Sequence, residues 1–246
     1  MITNKVELSN MVIQRAFSEH KPEKCSVACS FGKDSVVVLD LIRRVYPEIL
    51  VEFTNTGVEF PETIQFKKWL VKEWNLNIVE PKSDKWTFWS LVDKYGWPPL
   101  RGDHHGSKDI KCCYYLKEIP AFKVWKERGI ELVFTGITAH ESRARMFLER
   151  RCGDYYFAKT QGLWKCHPIM SWTPDDVWSY IRENHIPYNP FYDRFPKERV
   201  GCLPCTGHIG WEKKMAEAFP KMYRKVQKMR GQGLIDETGI AGEFPR

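Results

Sequence analysis

The chain has 246 residues, 43% of them apolar and 28% charged, with a formal net charge of +7. That profile excludes a disordered or fibrous chain and allows one large α/β domain with an appended portion. No uninterrupted apolar run of about 18 residues is present, and the first ten residues lack the apolar core of a signal peptide, so a cytoplasmic protein without a membrane partner is expected.

Residues 1–23 predict an amphipathic helix, with Leu8, Met11, Val12, Ile13 and Phe17 on its apolar side, ending in a polar turn. Cys25 to Cys29 is a short apolar run that reads as a buried strand, and Ser35 to Leu41 reads as the start of an apolar-faced helix. Between them Ser30, Phe31, Gly32, Lys33, Asp34 and Ser35 form a tight strand-to-helix turn. Such a turn points free backbone N–H groups at whatever lies over the helix N-terminus, where the helix dipole favours negative charge. Gly32 allows close backbone approach, Ser30 and Ser35 add hydroxyls and Lys33 adds a cation, so the expected guest is a phosphate or sulfate. The turn lacks the Gly-Lys-Ser/Thr ending of a Walker loop. Its plainer reading is an ordinary β–α turn whose Ser and Asp residues cap the helix.

Leu50 to Thr54 predicts a second parallel strand, ending in the turn Asn55-Thr56-Gly57. The helix that follows has Ile64, Phe66, Trp69, Leu70 and Trp74 on its apolar side. Strand–helix–strand–helix order implies an α/β fold with a doubly wound, mostly parallel sheet. Ligands of such sheets bind outside the carboxyl ends of the strands, so the two turns can face one ligand. Ile78 to Glu80 predicts a third short strand. Residues 84–110 read as irregular and aromatic-rich; His104 and His105 are a weak metal candidate, and Arg101, Lys108 and Lys111 offer contacts to phosphate or nucleic acid. Glu118 to Arg128 predicts a helix and Glu131 to Gly136 a core strand, whose end at Gly136 leads to Arg143 and Arg145. Thr173 caps a helix with Pro174 at its first position, Asp175 and Asp176 in its first turn, and Val177, Trp178, Tyr180 and Ile181 on its apolar face. A basic amphipathic helix is expected from about Trp211 to Arg230, carrying Lys213, Lys214, Lys221, Arg224, Lys225, Lys228 and Arg230. The chain divides into a nucleotide-binding domain over 1–200 and a small cysteine-containing portion over 201–246.

Eight cysteines without a secretion signal favour metal or redox chemistry over a disulfide framework. Cys112-Cys113 is a vicinal pair, and Cys202-Leu203-Pro204-Cys205 is a CxxC turn. Four thiolates from two turns make a cage for zinc or an iron–sulfur cluster. Adjacent cysteines chelate one small ion poorly, whereas a cluster offers them separate iron atoms, which favours the cluster. Cys25 and Cys29 read as core residues. Cys152 and Cys166 read as loop-proximal, available either for sulfur handling or for packing.

The segments together resemble one family. SFGKDS (30–35) is similar to the SGGKDS loop of PP-loop ATP pyrophosphatases and sulfonucleotide (PAPS and APS) reductases, with Phe31 for the first Gly. NTGVEFPET (55–63) resembles their DTGxEFPET segment, with Asn55 for Asp. Residues 136–145 partly match GxRxxESxxR, with Thr138 for Arg, so that Arg143 and Arg145 carry the charge. HPIMSWTPDDVWSYI (167–181) and GCLPCT (201–206) match further segments. The resemblance covers roughly residues 20–210 and implies an adenine nucleotide held by Ser30, Phe31, Gly32, Lys33, Asp34, Ser35, Asn55, Thr56, Gly57, Gly136 and Arg143. It implies a four-iron four-sulfur cluster on Cys112, Cys113, Cys202 and Cys205.

The reductases carry a nucleophilic cysteine in a C-terminal ECGLH-like segment. No cysteine follows Cys205 in this sequence. Other PP-loop enzymes cleave ATP between the α and β phosphates, adenylate an oxygen and let sulfur displace AMP. In that chemistry Lys33 neutralises developing charge, Asp34 helps to place Mg²⁺ and Arg143 clamps phosphate. Three functions therefore stand: ATP-dependent thiolation or phosphorothioation of nucleic acid (tRNA or DNA), thiol-dependent reduction of PAPS or APS to sulfite, and a nucleotide- and cluster-binding subunit working with a cysteine desulfurase or another sulfur donor.

Overall fold

The computed structural model describes residues 2–98, 110–195, 199–205 and 211–229. Six short strands form its centre: β1 (Cys25–Ala28), β2 (Leu50–Glu52), β3 (Ile78–Val79), β4 (Leu132–Thr135), β5 (Tyr155–Ala158) and β6 (Leu163–Cys166). They lie in the order β3-β2-β1-β4-β6-β5. All neighbours are parallel except the β5–β6 pair. Val27 of β1 sits opposite Val51 on one side and Phe134 on the other, so the central strand is apolar on both flanks. That pattern belongs to a sheet covered on both faces.

The helices are α1 (Ile2–Glu19), α2 (Lys33–Arg43), α3 (Pro61–Glu73), α4 (Phe88–Tyr95), α5 (Lys111–Cys113), α6 (Ile119–Arg128), α7 (Arg143–Cys152), α8 (Pro174–Glu183), α9 (Phe191–Arg194), α10 (Trp211–Ala218) and α11 (Pro220–Met229). A π-helical turn, Tyr114–Glu118, joins α5 to α6. The largest core cluster packs α1, α2, α3 and α8 against the sheet through Ile13, Val36, Val37, Leu39, Leu70 and Val177. Trp125 and Ala121 of α6 form a second cluster with Leu50 and Val133. Strand order reverses between β1 and β4, because the chain lays β2 and β3 on one side of β1 and then returns to the other. The crevice at the carboxyl ends of β1 and β4 is therefore the switch point of the sheet. Among the described residues no helix is long and apolar enough to cross a membrane.

The α/β doubly wound reading holds, and several local expectations change. Within the region read as irregular, Phe88–Tyr95 is a helix, because Thr87 and Ser90 form a reciprocal capping box that starts it. The basic C-terminal helix is two helices, since Pro220 has no N–H to carry the ladder past Phe219. The β5–β6 hairpin was not anticipated, and it corrects the placement of Cys166, which is a fully buried strand residue and not loop-proximal. Cys152 ends α7. Arg101, His104, His105 and Lys108 lie outside the described residues.

Candidate nucleotide and cysteine site

A cavity of about 280 Å³ opens at the switch point. Ser30, Gly32, Asp34 and Ser35 wall one side, Thr135, Gly136 and Arg145 another, and Lys117, Arg199, Cys202 and Cys205 a third. The wall contains the start of α2, whose first N–H groups have no partner within the helix. Three cations, Lys117, Arg145 and Arg199, face two carboxylates, Asp34 and Glu141. Arg145 pairs with Glu141 across one helical turn. An anion entering here meets a helix N-terminus and a positive wall, the combination that binds phosphates.

The turn before α2 is held from behind. Phe31 has φ 57°, a left-handed conformation costly for a bulky residue, of the order of 1–2 kcal/mol. Its ring is fully buried, edge-on to Phe53 and Phe66, which offsets the strain. Asn189, also fully buried, donates to the Phe31 carbonyl at 3.2 Å and to Thr63 Oγ1 at 3.0 Å. Phe31 thus shapes the turn and its side chain points into the core. Ser35 Oγ donates to Gly32 O at 2.9 Å and lies 3.3 Å from Ser30 Oγ. Lys33 does not line the cavity; its ammonium is held at 2.7 and 2.8 Å by the Asp34 carboxylate.

The Tyr192 hydroxyl ties the two walls together. It accepts from the Lys33 N–H at 3.1 Å and from the Val200 backbone N–H. Burial pushes its own ionisation upward, so it remains a neutral hydroxyl. The residue fills the space over Gly32, where a methyl group would come within 3.1 Å of its oxygen. Gly136 is restricted more severely: a Cβ there would stand 2.7 Å from the Asp34 carbonyl and the Ser35 nitrogen. The end of β4 packs directly on the first turn of α2, and only hydrogen fits between.

Asn55, Thr56 and Gly57 lie outside this cavity wall. Thr56 donates through N and Oγ1 to Glu59 Oε1 at 2.8 and 2.6 Å, and Gly57 N–H bonds Asn55 Oδ1 and Glu59 Oε2. The turn then braces the cysteine segment: Glu59 pairs with Cys202 in a β-bridge, Leu203 N–H bonds Val58 O at 2.7 Å, and Thr56 Oγ1 is 3.3 Å from Cys202 Sγ. Arg143 sits on the exposed side of α7, and Arg145, two residues on, reaches the cavity instead.

The four predicted cysteines are brought within electrostatic reach of one another. Cys112 shares a proton with Cys113 and also feels Cys202 and Cys205, and its ionisation is driven up. Cys113, accepting that hydrogen bond and facing Lys117 and Arg199, has its ionisation brought down. Lys117 is held protonated chiefly by Cys202, with Cys113 and Cys205 adding to the effect. Among the described residues no three His, Cys, Asp or Glu side chains converge as ligands of a single metal ion. The donor set is four sulfurs split between α5 and the 202–205 turn with a cation beside them. That chemistry suits a multi-iron cluster, which spreads its ligands and carries negative charge. Lys117, Tyr192 and Glu141 were not anticipated from the sequence. Lys117 is four residues beyond Cys113 and so shares its helical face, the only sequence signal for it.

His167 is buried at the rim behind Thr135, whose Oγ1 is 2.7 Å from Nδ1. Burial, followed by Lys165 and Arg145, drives its ionisation down to about 3, so it is neutral.

Comparison with known proteins places these features. Residues 24–208 match the phosphoadenosine phosphosulfate reductase domain. An adenosine 5'-phosphosulfate reductase of Geobacillus kaustophilus is 33% identical over 197 residues, covering 79% of this chain and 77% of the relative. The uncharacterized protein MJ0973 of Methanocaldococcus jannaschii is 31% identical over 96% of this chain, which spans only 55% of that longer relative. Among solved structures, the PAPS reductase from Candida auris overlays with a TM-score of 0.59 at 23% identity, covering 79% of this chain and 87% of that one. Yeast FAD synthetase overlays with a TM-score of 0.57 at 13% identity, covering 93% and 77%. These two likenesses establish the fold. The domain match and the sequence relatives together establish the family: the chain belongs to the phosphoadenosine phosphosulfate reductase domain family.

Proposed function

We propose that the chain binds an adenine nucleotide in the switch-point cavity, holds a four-iron four-sulfur cluster on Cys112, Cys113, Cys202 and Cys205, and supports ATP-dependent sulfur transfer to nucleic acid. The observation that carries this reading is the cavity itself, which a helix N-terminus, three cations and the two cysteines Cys202 and Cys205 line together. In this reading the α2 N–H groups and the Ser30–Ser35 turn cradle the pyrophosphate portion of ATP, and Arg145 and Arg199 balance its charge. An oxygen of the acceptor attacks the α-phosphorus, the α–β bridging bond breaks, and pyrophosphate leaves. A sulfur nucleophile from a donor such as a cysteine desulfurase then displaces AMP, leaving sulfur where the oxygen was. Asp34, whose carboxylate lines the cavity and is paired with the Lys33 ammonium, would exchange that partner to help place Mg²⁺, which neutralises leaving pyrophosphate. When bound, the cluster supplies a site that carries or presents sulfur. Lys117 sets the charge balance between the thiolates and the nucleotide.

A second reading, thiol-dependent reduction of PAPS or APS to sulfite, draws on the identity with the adenosine 5'-phosphosulfate reductases. Here Cys202 and Cys205 are the sulfurs lining the cavity, and an external thiol supplies the electrons. Anaerobic incubation of the protein with ATP, PAPS or APS separates the two. Pyrophosphate from ATP supports sulfur transfer, sulfite from either sulfonucleotide supports reduction, and neither product from the isolated chain sinks both in favour of a subunit that needs a partner.

A further inference from the structure

Among the described helices of ten residues or more, α7 alone has no buried side chain. A helix of that length is marginal on its own. The covered side of α7 is a half-buried stripe of Arg145, Leu148, Glu149 and Cys152, and among the described residues its main packing partner is the short turn 139–141 before it. Its sequence, RARMFLERRC, holds four arginines against one acidic residue, Glu149. Arg143 and Arg145 lie in its first turn, where positive charge opposes the helix dipole. A locally unfavourable pattern of this kind marks a site selected for something other than stability. Phe147 is 65% exposed and Met146 39%. Arg143, Phe147 and Arg150 follow one another at the i, i+4, i+7 spacing, so an aromatic ring lies between two guanidinium groups on one exposed stripe. Arg143, Arg150 and Arg151 form no ion pair with any described residue. The helix begins at the cavity, since Glu141 and Arg145 both line it.

We infer that α7 is a docking helix for single-stranded nucleic acid, with Arg143, Arg150 and Arg151 on successive phosphates and Phe147 under an unstacked base. The inference rests on the nucleic-acid acceptor proposed above and names the surface that guides the strand toward the cavity. Arginine contacts to phosphate give position and aromatic stacking gives a sequence-tolerant grip. A second copy of the chain fits this surface poorly, because its own four arginines would meet these.

The test uses the full chain and a short labelled oligouridylate, with an oligodeoxythymidylate of equal length to separate RNA from DNA. Affinity is followed by fluorescence anisotropy across a salt series. Phe147→Ala is expected to weaken binding roughly tenfold with the salt slope unchanged. The double variant Arg150→Gln/Arg151→Gln is expected to flatten the log–log salt slope by about 1.4, at about 0.7 per phosphate contact on a single strand. Unaltered affinity and slope in both variants overturn the inference, as does a self-association that Phe147→Ala abolishes without oligonucleotide binding. ATP binding is titrated in parallel. ATP bound with no oligonucleotide bound removes this inference alone; binding of neither removes the reading of the cavity as well.

Discussion

Gly136→Ala is the sharpest test of the site's construction. The added methyl would lie 2.7 Å from the Asp34 carbonyl carbon and oxygen and from the Ser35 nitrogen. Carbon contacts are favourable at about 3.5–4.0 Å, so the end of β4 and the first turn of α2 must separate by nearly 1 Å. All three opposing atoms are backbone, so no side chain can swing aside. Overpacking of this kind costs about 1–3 kcal/mol, and the absence of a flexible neighbour puts this case at about 3. For a chain of this size that corresponds to a fall in Tm of roughly 6–12 °C, at about 2–4 °C per kcal/mol. The same displacement moves the α2 N–H groups proposed to hold phosphate, and a misplacement of about 1 Å costs on the order of 100-fold in a positioned site. The assay pairs thermal unfolding with ATP titration. Gly153→Ala is the control for affinity. With φ 73° and ψ −163° an alanine there is strained by about 1–3 kcal/mol, although nothing lies within 4 Å of its methyl. Because Gly153 does not line the cavity, the variant should lose stability yet keep its nucleotide affinity. A Gly136→Ala protein with the parent Tm and affinity would refute the close packing of β4 on α2.

Three further outcomes follow from the geometry. Arg145→Gln should weaken ATP binding more than Lys33→Ala, because Arg145 lines the cavity whereas the Lys33 ammonium is held by Asp34; the reverse order in parallel titrations would return Lys33 to the phosphate site. His167 is held neutral down to about 3, while the unfolded chain takes up its proton near the ordinary value of about 6.5. Stability should therefore fall as pH drops from about 6.5 toward 3, by about 1.4 kcal/mol per pH unit, and His167→Asn should flatten that slope in urea unfolding. Anaerobically purified protein should be brown, with about four iron and four sulfide per chain, and Cys202→Ser should lose the colour; a colourless protein holding one zinc would sink the cluster.

The strand-to-helix turn before α2 and its place in the fold were legible because they depend on short-range rules. An apolar strand, a polar turn and an amphipathic helix are adjacent in sequence, and the dipole of α2 points at the turn whatever surrounds it. The cysteine motifs were legible by spacing alone. The division of labour between neighbours was not. Nothing in the composition of NTGVE tells that Glu59 folds the turn onto itself and braces Cys202, because that requires knowing which segment arrives opposite. Arg143 and Arg145 are equivalent in sequence, and only the rotation of α7 sends one to the cavity and the other to the outside. The β5–β6 hairpin escaped because Tyr155–Ala158 and Leu163–Cys166 are short and their burial is set by the sheet edge they join.

What the sequence by itself determined is the α/β class, the strand-to-helix turn proposed to hold phosphate and the four candidate thiols, with the family carried by the resemblance of its motifs. The class and the turn follow from local hydrogen bonding and periodicity, which act within a few residues. Only the tertiary structure decided that Lys117, Tyr192 and Arg145 complete the site, since they come from three distant segments and meet where the strand order reverses. It also left α7 exposed at the mouth of that site. The physical reason is common to both: long-range packing selects which face of each helix meets the switch point, and local propensity carries no information about that choice.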